Sequence, residues 1–290
     1  MKDLAGKAAF ISGGASGIGL AIAHALAREG VRVAIGDINR TTLDEAVEGL
    51  RRSGAAVCPV LLDVADPASW ANAVAATQRA FGLVQILCNN AGVGPARADV
   101  TEVPPEDWVW ALRINLGGVF HGTQAFVGRM KAAAQGGHVV NTASILGLFP
   151  NGFHSAYVAS KFAVVGLSEA MRIELADLGI GVSVLCPGFV RTPLRHTSQR
   201  LRPSSAGRDD CAKGVVEERP SAMEPDAVGT LVVEGIRDNR LYILTHPEYR
   251  RVVEDRMNRI LAAFGSAADP AYAEDVTPLG GDSLALSAQG

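Results

Sequence analysis

Short apolar runs alternate with segments of helical periodicity through most of the chain. The apolar runs are bounded by Gly, Pro, Asn and Asp, which is typical of strands. They predict strands at 7–14, 31–37, 56–64, 84–92, 136–144, 180–188 and 240–246. The periodic segments predict helices at 17–30, 40–54, 66–82, about 105–134, 156–179, 224–239 and 247–264. This alternation predicts a doubly wound parallel sheet of Rossmann type, with helices on both faces of nearly all-apolar strands.

The pattern predicts one domain over residues 1–264, followed by a disordered polar tail at 265–290. Regular periodicity breaks at 195–222, where charged residues mix with Ser, Gly and Pro, so we expect a long irregular segment within a substrate loop at about 189–222. The final predicted helix carries one apolar stripe, which should pack against another surface. The stripe consists of Tyr249, Val252, Val253, Met257, Ile260, Leu261 and Phe264.

Composition excludes several classes of function for these 290 residues. The net charge of −3 gives no electrostatic footprint for nucleic acid. No run of about 18 apolar residues predicts a membrane-spanning helix, and the first residues do not form a signal-peptide pattern. Cys58, Cys88, Cys186 and Cys211 are far apart, which predicts free thiols in a reducing, cytoplasmic compartment. The histidines show no metal-ligand spacing, so we predict no metal site.

A glycine-rich loop, "SGGASGIG" at 12–19, lies between the first predicted strand and the first predicted helix. Gly13, Gly17 and Gly19 would let the backbone turn sharply and approach a pyrophosphate. The following helix would offer free N–H groups and a positive dipole end to the same anion. An ordinary Gly-rich turn shares this spacing, but the position between strand and helix favours a dinucleotide site.

Acidic and amide residues follow the next strands. Asp37 closes the second predicted strand, where a carboxylate can accept hydrogen bonds from both adenosine ribose hydroxyls and would repel a 2′-phosphate. It therefore favours NAD over NADP, although a solvent-facing Asp is the alternative. Asp63 closes the third predicted strand and would meet the adenine amine, and "NNAG" at 89–92 would bring backbone close to the cofactor.

Tyr157 and Lys161 are four residues apart in a predicted helix, so they share one face. An ammonium close to a phenol favours the phenolate and lowers its pKa, which would let the tyrosine act as general acid or base. Ser144 ends the preceding predicted strand and could bond the same substrate oxygen. A surface Tyr and Lys would give the same spacing; the accompanying glycine loop, Asp37 and Ser144 favour the catalytic interpretation.

As a set, these motifs resemble the short-chain dehydrogenase/reductase family over roughly residues 4–250. The resemblance implies a catalytic tetrad of Asn115, Ser144, Tyr157 and Lys161, in which the asparagine bends its helix and holds a water leading to the lysine. It also implies that "PGFVRT" at 187–192 packs on the nicotinamide. The cofactor contacts expected on this basis are Gly13, Ser16, Gly17, Ile18, Gly19, Asp37, Asp63, Val64, Asn90, Ala91, Gly92, Tyr157, Lys161, Pro187, Gly188, Val190 and Thr192.

The implied reaction is reversible hydride transfer between a secondary alcohol and NAD. Substrate residues expected after the cofactor motifs are Leu146, Phe149, His154 and Phe189, which make the pocket largely apolar. The C-terminal part resembles dehydrogenases for benzylic alcohols of lignin-type aryl ethers, so we expect a bulky aromatic or hydrophobic alcohol. A hydroxysteroid fits the same pocket, and His154 could instead be structural.

Two other classes of function compete with this interpretation. A non-catalytic NAD(H)-sensing module would need only the glycine loop and Asp37, and an isomerase or dehydratase would need further acid or base groups. The apolar helix around "FAVVGLSEAMRIEL" at 162–175 packs against a partner subunit in the resembled family, which implies a homodimer or homotetramer.

Overall fold

The computed structural model describes residues 1–204 and 222–264, and this part of the chain forms one seven-stranded parallel sheet. The strands are β1 Ala8–Ser12, β2 Arg32–Asp37, β3 Val57–Leu61, β4 Ile86–Asn89, β5 Gly137–Thr142, β6 Ile180–Cys186 and β7 Tyr242–Leu244. Their order across the sheet is β3-β2-β1-β4-β5-β6-β7. The predicted Rossmann-type fold class is confirmed, and the strand order reverses between β1 and β4, where such sheets open a binding crevice.

Helices connect the strands, as the alternating pattern predicts. They are α1 Gly17–Arg28, α2 Arg40–Arg52, α3 Pro67–Phe81, α4 Pro105–Leu112, α5 Gly118–Ala133, α6 Ser155–Leu175, α7 Leu194–Leu201, α8 Pro225–Arg237 and α9 Arg250–Ala262. Local sequence sets several starts: the Asn39 side chain accepts a hydrogen bond from Thr42 N–H at 3.3 Å, and Asp66 accepts one from Ala68 N–H at 3.0 Å.

The sheet is covered on both faces. One face buries Ile22 of α1, Leu43 of α2 and Val232 of α8 in a single cluster. The other face buries Trp70 and Phe126, which meet Phe10 of β1 at ring-centroid distances of 5.7 and 4.8 Å. Burial on both sides explains why the strands are apolar in nearly every position, and it leaves the ends of the strands as the place for polar chemistry.

The predicted helix at 105–134 is not one regular helix. Residues Arg113–Gly117 form a π-helical turn between α4 and α5, with the fully buried Asn115 at its centre. The asparagine side chain bonds to the backbone of Val93, outside its own helix, and this accompanies the widened turn. Such turns are frequent at functional sites. This irregular turn lies at the residue where the family resemblance implies a bend.

Two further expectations need correction. Residues 194–201 form α7 where we expected irregular chain from 195 onward; the helix follows Pro193 and buries Ser198. The third strand ends at Leu61, so Asp63 lies two residues beyond it. The remainder of the predicted loop at 205–221 and the predicted tail at 265–290 lie outside the described residues.

The last helix, α9, is less well covered than its apolar stripe predicts. Tyr249, just before α9, lies 5.6 Å from the ring of Phe149, and the Arg256 guanidinium lies 5.0 Å from the ring of Phe162. No residue of α9 is buried, and Leu261 and Phe264 are 62% and 78% exposed. The stripe therefore docks on this chain only at its edge.

Within residues 1–204 and 222–264, no helix is long and apolar enough to cross a membrane. The thiols of Cys58, Cys88 and Cys186 are free, as predicted, while Cys211 lies outside the described residues.

Candidate active site

The glycine loop and the "NNAG" segment are joined by hydrogen bonds at the β1/β4 crevice. The Ser12 hydroxyl accepts from the N–H groups of Asn90 and Ala91 at 3.0 and 3.1 Å. The Asn90 amide donates to the carbonyls of Ser12 and Gly13 at 3.1 and 3.3 Å. A Cβ on Gly13 would lie 2.8 Å from Ala91 Cα, so only glycine allows this approach. Asn90 thus holds the loop in shape from the neighbouring strand.

The start of α1 faces this loop and is suited to an anion. Ser16 is the N-cap residue and its side chain does not cap the helix, so the first N–H groups stay available. Gly17 has a φ of +51°, and a Cβ there would lie 3.0 Å from Thr192 Cβ. The segment predicted to contact nicotinamide therefore lies against the glycine loop. Gly19, with Ile18 before it, packs in the first turn beside the Gly13 carbonyl.

Asp37 is the last residue of β2, as predicted, and its carboxylate is oriented by backbone. One oxygen accepts from Ala15 N–H at 3.3 Å and the other from Asn39 N–H at 3.1 Å. Asp63 accepts from Ala65 N–H at 2.8 Å and thereby shapes the turn that carries Val64. Both carboxylates lie at the carboxyl edge of the sheet, which is where this class of fold binds ligands.

Asn115 connects the crevice to the helix that carries the tyrosine. Its Oδ1 accepts from Val93 N–H at 2.7 Å, and its Nδ2 donates to the Val93 carbonyl at 3.1 Å and to Ser160 Oγ at 3.0 Å. The Ser160 hydroxyl in turn donates to the Tyr157 carbonyl at 2.7 Å. All three side-chain bonds are buried, so the asparagine fixes α6 relative to the segment after β4.

The structure brings Ser144, Tyr157 and Lys161 together. The Ser144 side chain lies close enough to the Tyr157 phenol to favour a lower pKa of that phenol. Lys161 Nζ lies 5.6 Å from the Tyr157 ring centroid and donates to the Thr142 carbonyl at 3.0 Å. A Cβ on Gly92 would lie 3.0 Å from Asn115 Oδ1 and 3.5 Å from Lys161 Nζ. The four residues of the predicted tetrad thus surround one place in the crevice.

The electrostatics of this group differ from the sequence-based expectation. Burial raises the pKa of the Tyr157 phenol above its usual value, and the Ser144 side chain only partly opposes this. Burial also lowers the pKa of the Lys161 ammonium to about 8. We expected Lys161 to lower the tyrosine pKa; in the chain by itself desolvation dominates, because both groups are removed from water.

The "PGFVRT" segment is held by the C-terminal part of the chain. Gly188 N–H donates to Thr245 Oγ1 and His246 Nδ1, each at 3.2 Å. Val190 pairs with Met223 in a parallel bridge, so residues that follow the undescribed 205–221 return to this segment. Pro187 contributes its carbonyl to Ile145 N–H at 2.8 Å. The segment is therefore tied to the residues that follow β5 and to those that follow β7.

The predicted substrate residues lie in the loops that border the crevice. Leu146 lies two residues after Ser144 in a short 3₁₀ turn, and its N–H donates to Ser144 Oγ at 3.2 Å. Phe149 contacts Tyr249, which ties its ring to the C-terminal part of the chain. Phe189 is 49% exposed beside the segment that carries Val190. Leu146 and Phe149 are half-buried and Phe189 is exposed, so all three apolar side chains reach solvent.

His154 is the N-cap residue of α6, one turn before Tyr157. Its Nδ1 is buried and has no hydrogen-bond partner among the described residues. Burial, and then the charges of Arg97 and Arg195, lower its pKa, so the ring is neutral at neutral pH. A neutral imidazole with an unpaired nitrogen can bond a hydroxyl or carbonyl group.

Several residues of the site carried no signal in the sequence. Three bonds depend on contacts between separate segments: Lys161 Nζ to the Thr142 carbonyl, Asn115 Nδ2 to Ser160 Oγ, and Gly94 N–H to Ser198 Oγ at 2.7 Å. Among residues 1–204 and 222–264, no group of three or more His, Cys, Asp or Glu could hold a metal ion.

The residues present fit a dinucleotide. The crevice offers a tight glycine loop, available N–H groups at a helix start and a carboxylate at the end of β2. A phenol and an ammonium lie beside it for proton transfer.

Comparison with known proteins agrees with this geometry. The family model described as short chain dehydrogenase matches residues 7–202. A CLA biosynthesis dehydrogenase/reductase from Lactiplantibacillus plantarum is 35% identical over 90% of this chain and 95% of the relative. A C alpha-dehydrogenase from Sphingobium sp. strain SYK-6 is 32% identical over 90% of this chain and 87% of the relative. A short chain dehydrogenase/reductase from Burkholderia phymatum, solved in complex with NAD, is 34% identical with a TM-score of 0.84, over 93% of this chain and 99% of that one.

Proposed function

The chain belongs to the short-chain dehydrogenase family, and from this premise we propose that it is an NAD-dependent oxidoreductase acting on a secondary alcohol or ketone. The observation that carries the proposal is the meeting of Ser144, Tyr157 and Lys161 beside Gly92, at the crevice edge of the sheet. A module that only senses NAD(H) would need no buried phenol beside a buried ammonium.

The residues that would hold NAD follow from the crevice. The glycine loop and the first turn of α1 would bind the pyrophosphate, and Asp37 the adenosine ribose. The similar Burkholderia phymatum structure, which contains NAD, supports this choice of cofactor. Asp63 and Val64 would border the adenine, Asn90 to Gly92 the central backbone, and Pro187, Gly188, Val190 and Thr192 the nicotinamide. When bound, NAD supplies the hydride acceptor or donor.

The chain's own residues would handle the proton. Tyr157 would exchange a proton with the substrate oxygen, and Ser144 would hold that oxygen by a hydrogen bond. Because its pKa is raised, the tyrosine begins as a phenol at neutral pH, which is the form that protonates a ketone on reduction. Lys161 would favour the phenolate once the proton leaves, and Asn115 would keep α6 and the lysine in position through Val93 and Ser160.

We propose a bulky hydrophobic or aromatic alcohol as substrate. The apolar side chains of Leu146, Phe149 and Phe189 support this, with neutral His154 as a polar contact. The similarity to a C alpha-dehydrogenase agrees with the resemblance to enzymes for benzylic alcohols. Because the chain is also similar to a CLA biosynthesis dehydrogenase/reductase, other hydrophobic alcohols should be tested as well. The free thiols support a reducing, cytoplasmic setting.

The test is NADH absorbance at mildly alkaline pH with NAD or NADP and a panel of alcohols. The panel holds benzylic aryl-ether alcohols, hydroxysteroids, long-chain hydroxy lipids and short aliphatic alcohols, with Tyr157→Phe as the inactive control. Turnover with NAD on a bulky class, and none by the control, is expected. Tight NADH binding without turnover on any class would favour the sensing module, and turnover only on short alcohols would refute the substrate proposal.

A further inference from the structure

Helix α7 is joined to two segments that border the crevice. Its first residues follow Thr192 and Pro193, which pack against Gly17 of the glycine loop. In its middle, Ser198 is only 2% exposed, and its Oγ accepts from Gly94 N–H at 2.7 Å. Gly94 is two residues from Gly92, which lies against Asn115 and Lys161. The helix is thus joined to the cofactor side at its start and to the tetrad side at its centre.

The chain that leaves α7 is fastened to α4 by a buried carboxylate. Asp107 is 6% exposed; its Oδ1 accepts from Ser204 N–H at 3.1 Å and its Oδ2 from Ser204 Oγ at 2.7 Å. Arg202 is also 6% exposed, and its Nε lies 3.9 Å from Asp107 Oδ2. A buried acidic group is rare and is costly without such partners. Arg202 and Ser204 lie 95 and 97 positions after Asp107, so the contact joins α4 to the end of α7 across the fold.

The position of Asp107 connects this contact to the tetrad. Helix α4 continues directly into the π-helical turn that holds Asn115, and α4 also packs against α6. A carboxylate on α4 therefore ties the end of α7 to the same framework that carries the catalytic tyrosine. It does so without touching the crevice residues themselves, because its oxygens are occupied by the chain after α7.

We propose that Asp107 is a positioning residue: its hydrogen bonds with Ser204 and its ion pair with Arg202 hold α7 across the substrate opening and so determine how tightly the substrate is bound. The proposal rests on the proposed function for the identity of the opening, but the fastening of α7 is independent of it. Loss of the carboxylate should free the end of α7, raise the KM for the alcohol and leave kcat nearly unchanged, since the tetrad keeps its own bonds.

The experiment compares Asp107→Ala and Asp107→Asn with a matched control, Glu106→Gln, which changes an exposed carboxylate on the same helix. Each protein is digested with trypsin in the presence of NADH, and cleavage after Arg195 and Arg200, both within α7, is followed by mass spectrometry. Cleavage after Arg129 on α5 reports general unfolding in the same digest. The alcohol that proves active in the panel then supplies KM and kcat.

For Asp107→Ala we expect cleavage within α7 to rise by about tenfold or more, because buried charge-assisted bonds are lost. Cleavage after Arg129 and the affinity for NADH should change by less than about threefold, and KM should rise about tenfold with kcat within about twofold. Asp107→Asn should lie between, since an amide oxygen can keep one bond to Ser204. Glu106→Gln should resemble the unmodified protein.

Three results would overturn the proposal. Equal acceleration at Arg129 and in α7 would mean that Asp107 stabilises the whole domain, not α7. A fall in kcat with unchanged KM, or unchanged cleavage in α7, would mean that the carboxylate does not act through this helix. If no alcohol in the panel is turned over, the proposed function fails while the cleavage comparison still decides the fastening of α7.

Discussion

Replacement of Asp37 should change which nicotinamide cofactor the protein prefers. The carboxylate closes β2 and is oriented by Ala15 N–H at 3.3 Å and Asn39 N–H at 3.1 Å. Its side chain is partly exposed, so it can also accept bonds from an adenosine ribose. Asp37→Ala removes these acceptors, and Asp37→Asn keeps one oxygen acceptor but removes the charge.

The magnitude follows from the kind of bond. A hydrogen bond to a charged group contributes about 1.5–3 kcal/mol, and we take one such bond as the net loss because water competes at a partly exposed site. The affinity of Asp37→Ala for NADH should therefore fall by about 10- to 150-fold. Removing a negative charge close to a 2′-phosphate relieves a repulsion of about 1 kcal/mol or more. Affinity for NADPH should therefore rise about fivefold.

The assay is a fluorescence titration of each variant with NADH and with NADPH at one ionic strength. Asp37→Asn separates charge from hydrogen bonding: it should gain NADPH affinity as much as Asp37→Ala but lose less NADH affinity. Asp44→Ala, which removes an exposed carboxylate on α2, controls for net charge and should alter neither cofactor. Equal losses of NADH and NADPH affinity in both Asp37 variants would mean that the carboxylate only shapes the glycine loop, and the ribose assignment would be refuted.

Three other measurements test separate parts of the structure. Tyr157→Phe should reduce turnover by at least about 100-fold and change the affinity for NADH by less than about threefold; lost NADH binding would indicate a structural tyrosine. The rate of alcohol oxidation by the unmodified protein should rise with pH, because burial raises the tyrosine pKa. Burial lowers the pKa of His138 to about 3, so the folded protein keeps this ring neutral while the unfolded chain protonates it below about pH 6.5. The free energy of unfolding should therefore be unaffected by His138 above that pH and should fall by roughly 3 kcal/mol by pH 4.5. In urea unfolding, His138→Asn should show a flatter dependence of this free energy on pH, and an unchanged pH dependence would contradict the prediction. Light scattering should give a dimer or tetramer, since Ile173 of α6 is 43% exposed, and a monomer would reject this.

The fold could be predicted because its causes are local. The strands are apolar on both faces, and the helices begin at Asn39, Asp66 or Pro225 and carry regular stripes. Helix α7 forms where a loop was predicted, and the reason is its contacts with distant parts of the chain. Its polar sequence gives no buried stripe, and the helix is held by bonds from Gly94 and Asp107 to residues about 100 positions away. A pattern read along the chain cannot contain such contacts.

The candidate site could likewise be predicted from the sequence only in part. Spacing identifies Tyr157 and Lys161 as neighbours, because four residues of helix always place two side chains on one face. Spacing does not give their protonation, since the sign of each pKa shift depends on how far the fold removes both groups from water. Burial raises one pKa and lowers the other to about 8. At neutral pH this leaves a neutral phenol beside a lysine that is still mostly charged, and the positive charge therefore acts on the phenolate at the moment it forms. Under the proposed function, this pair would give a proton to a ketone at neutral pH and would accept one from an alcohol as the pH rises.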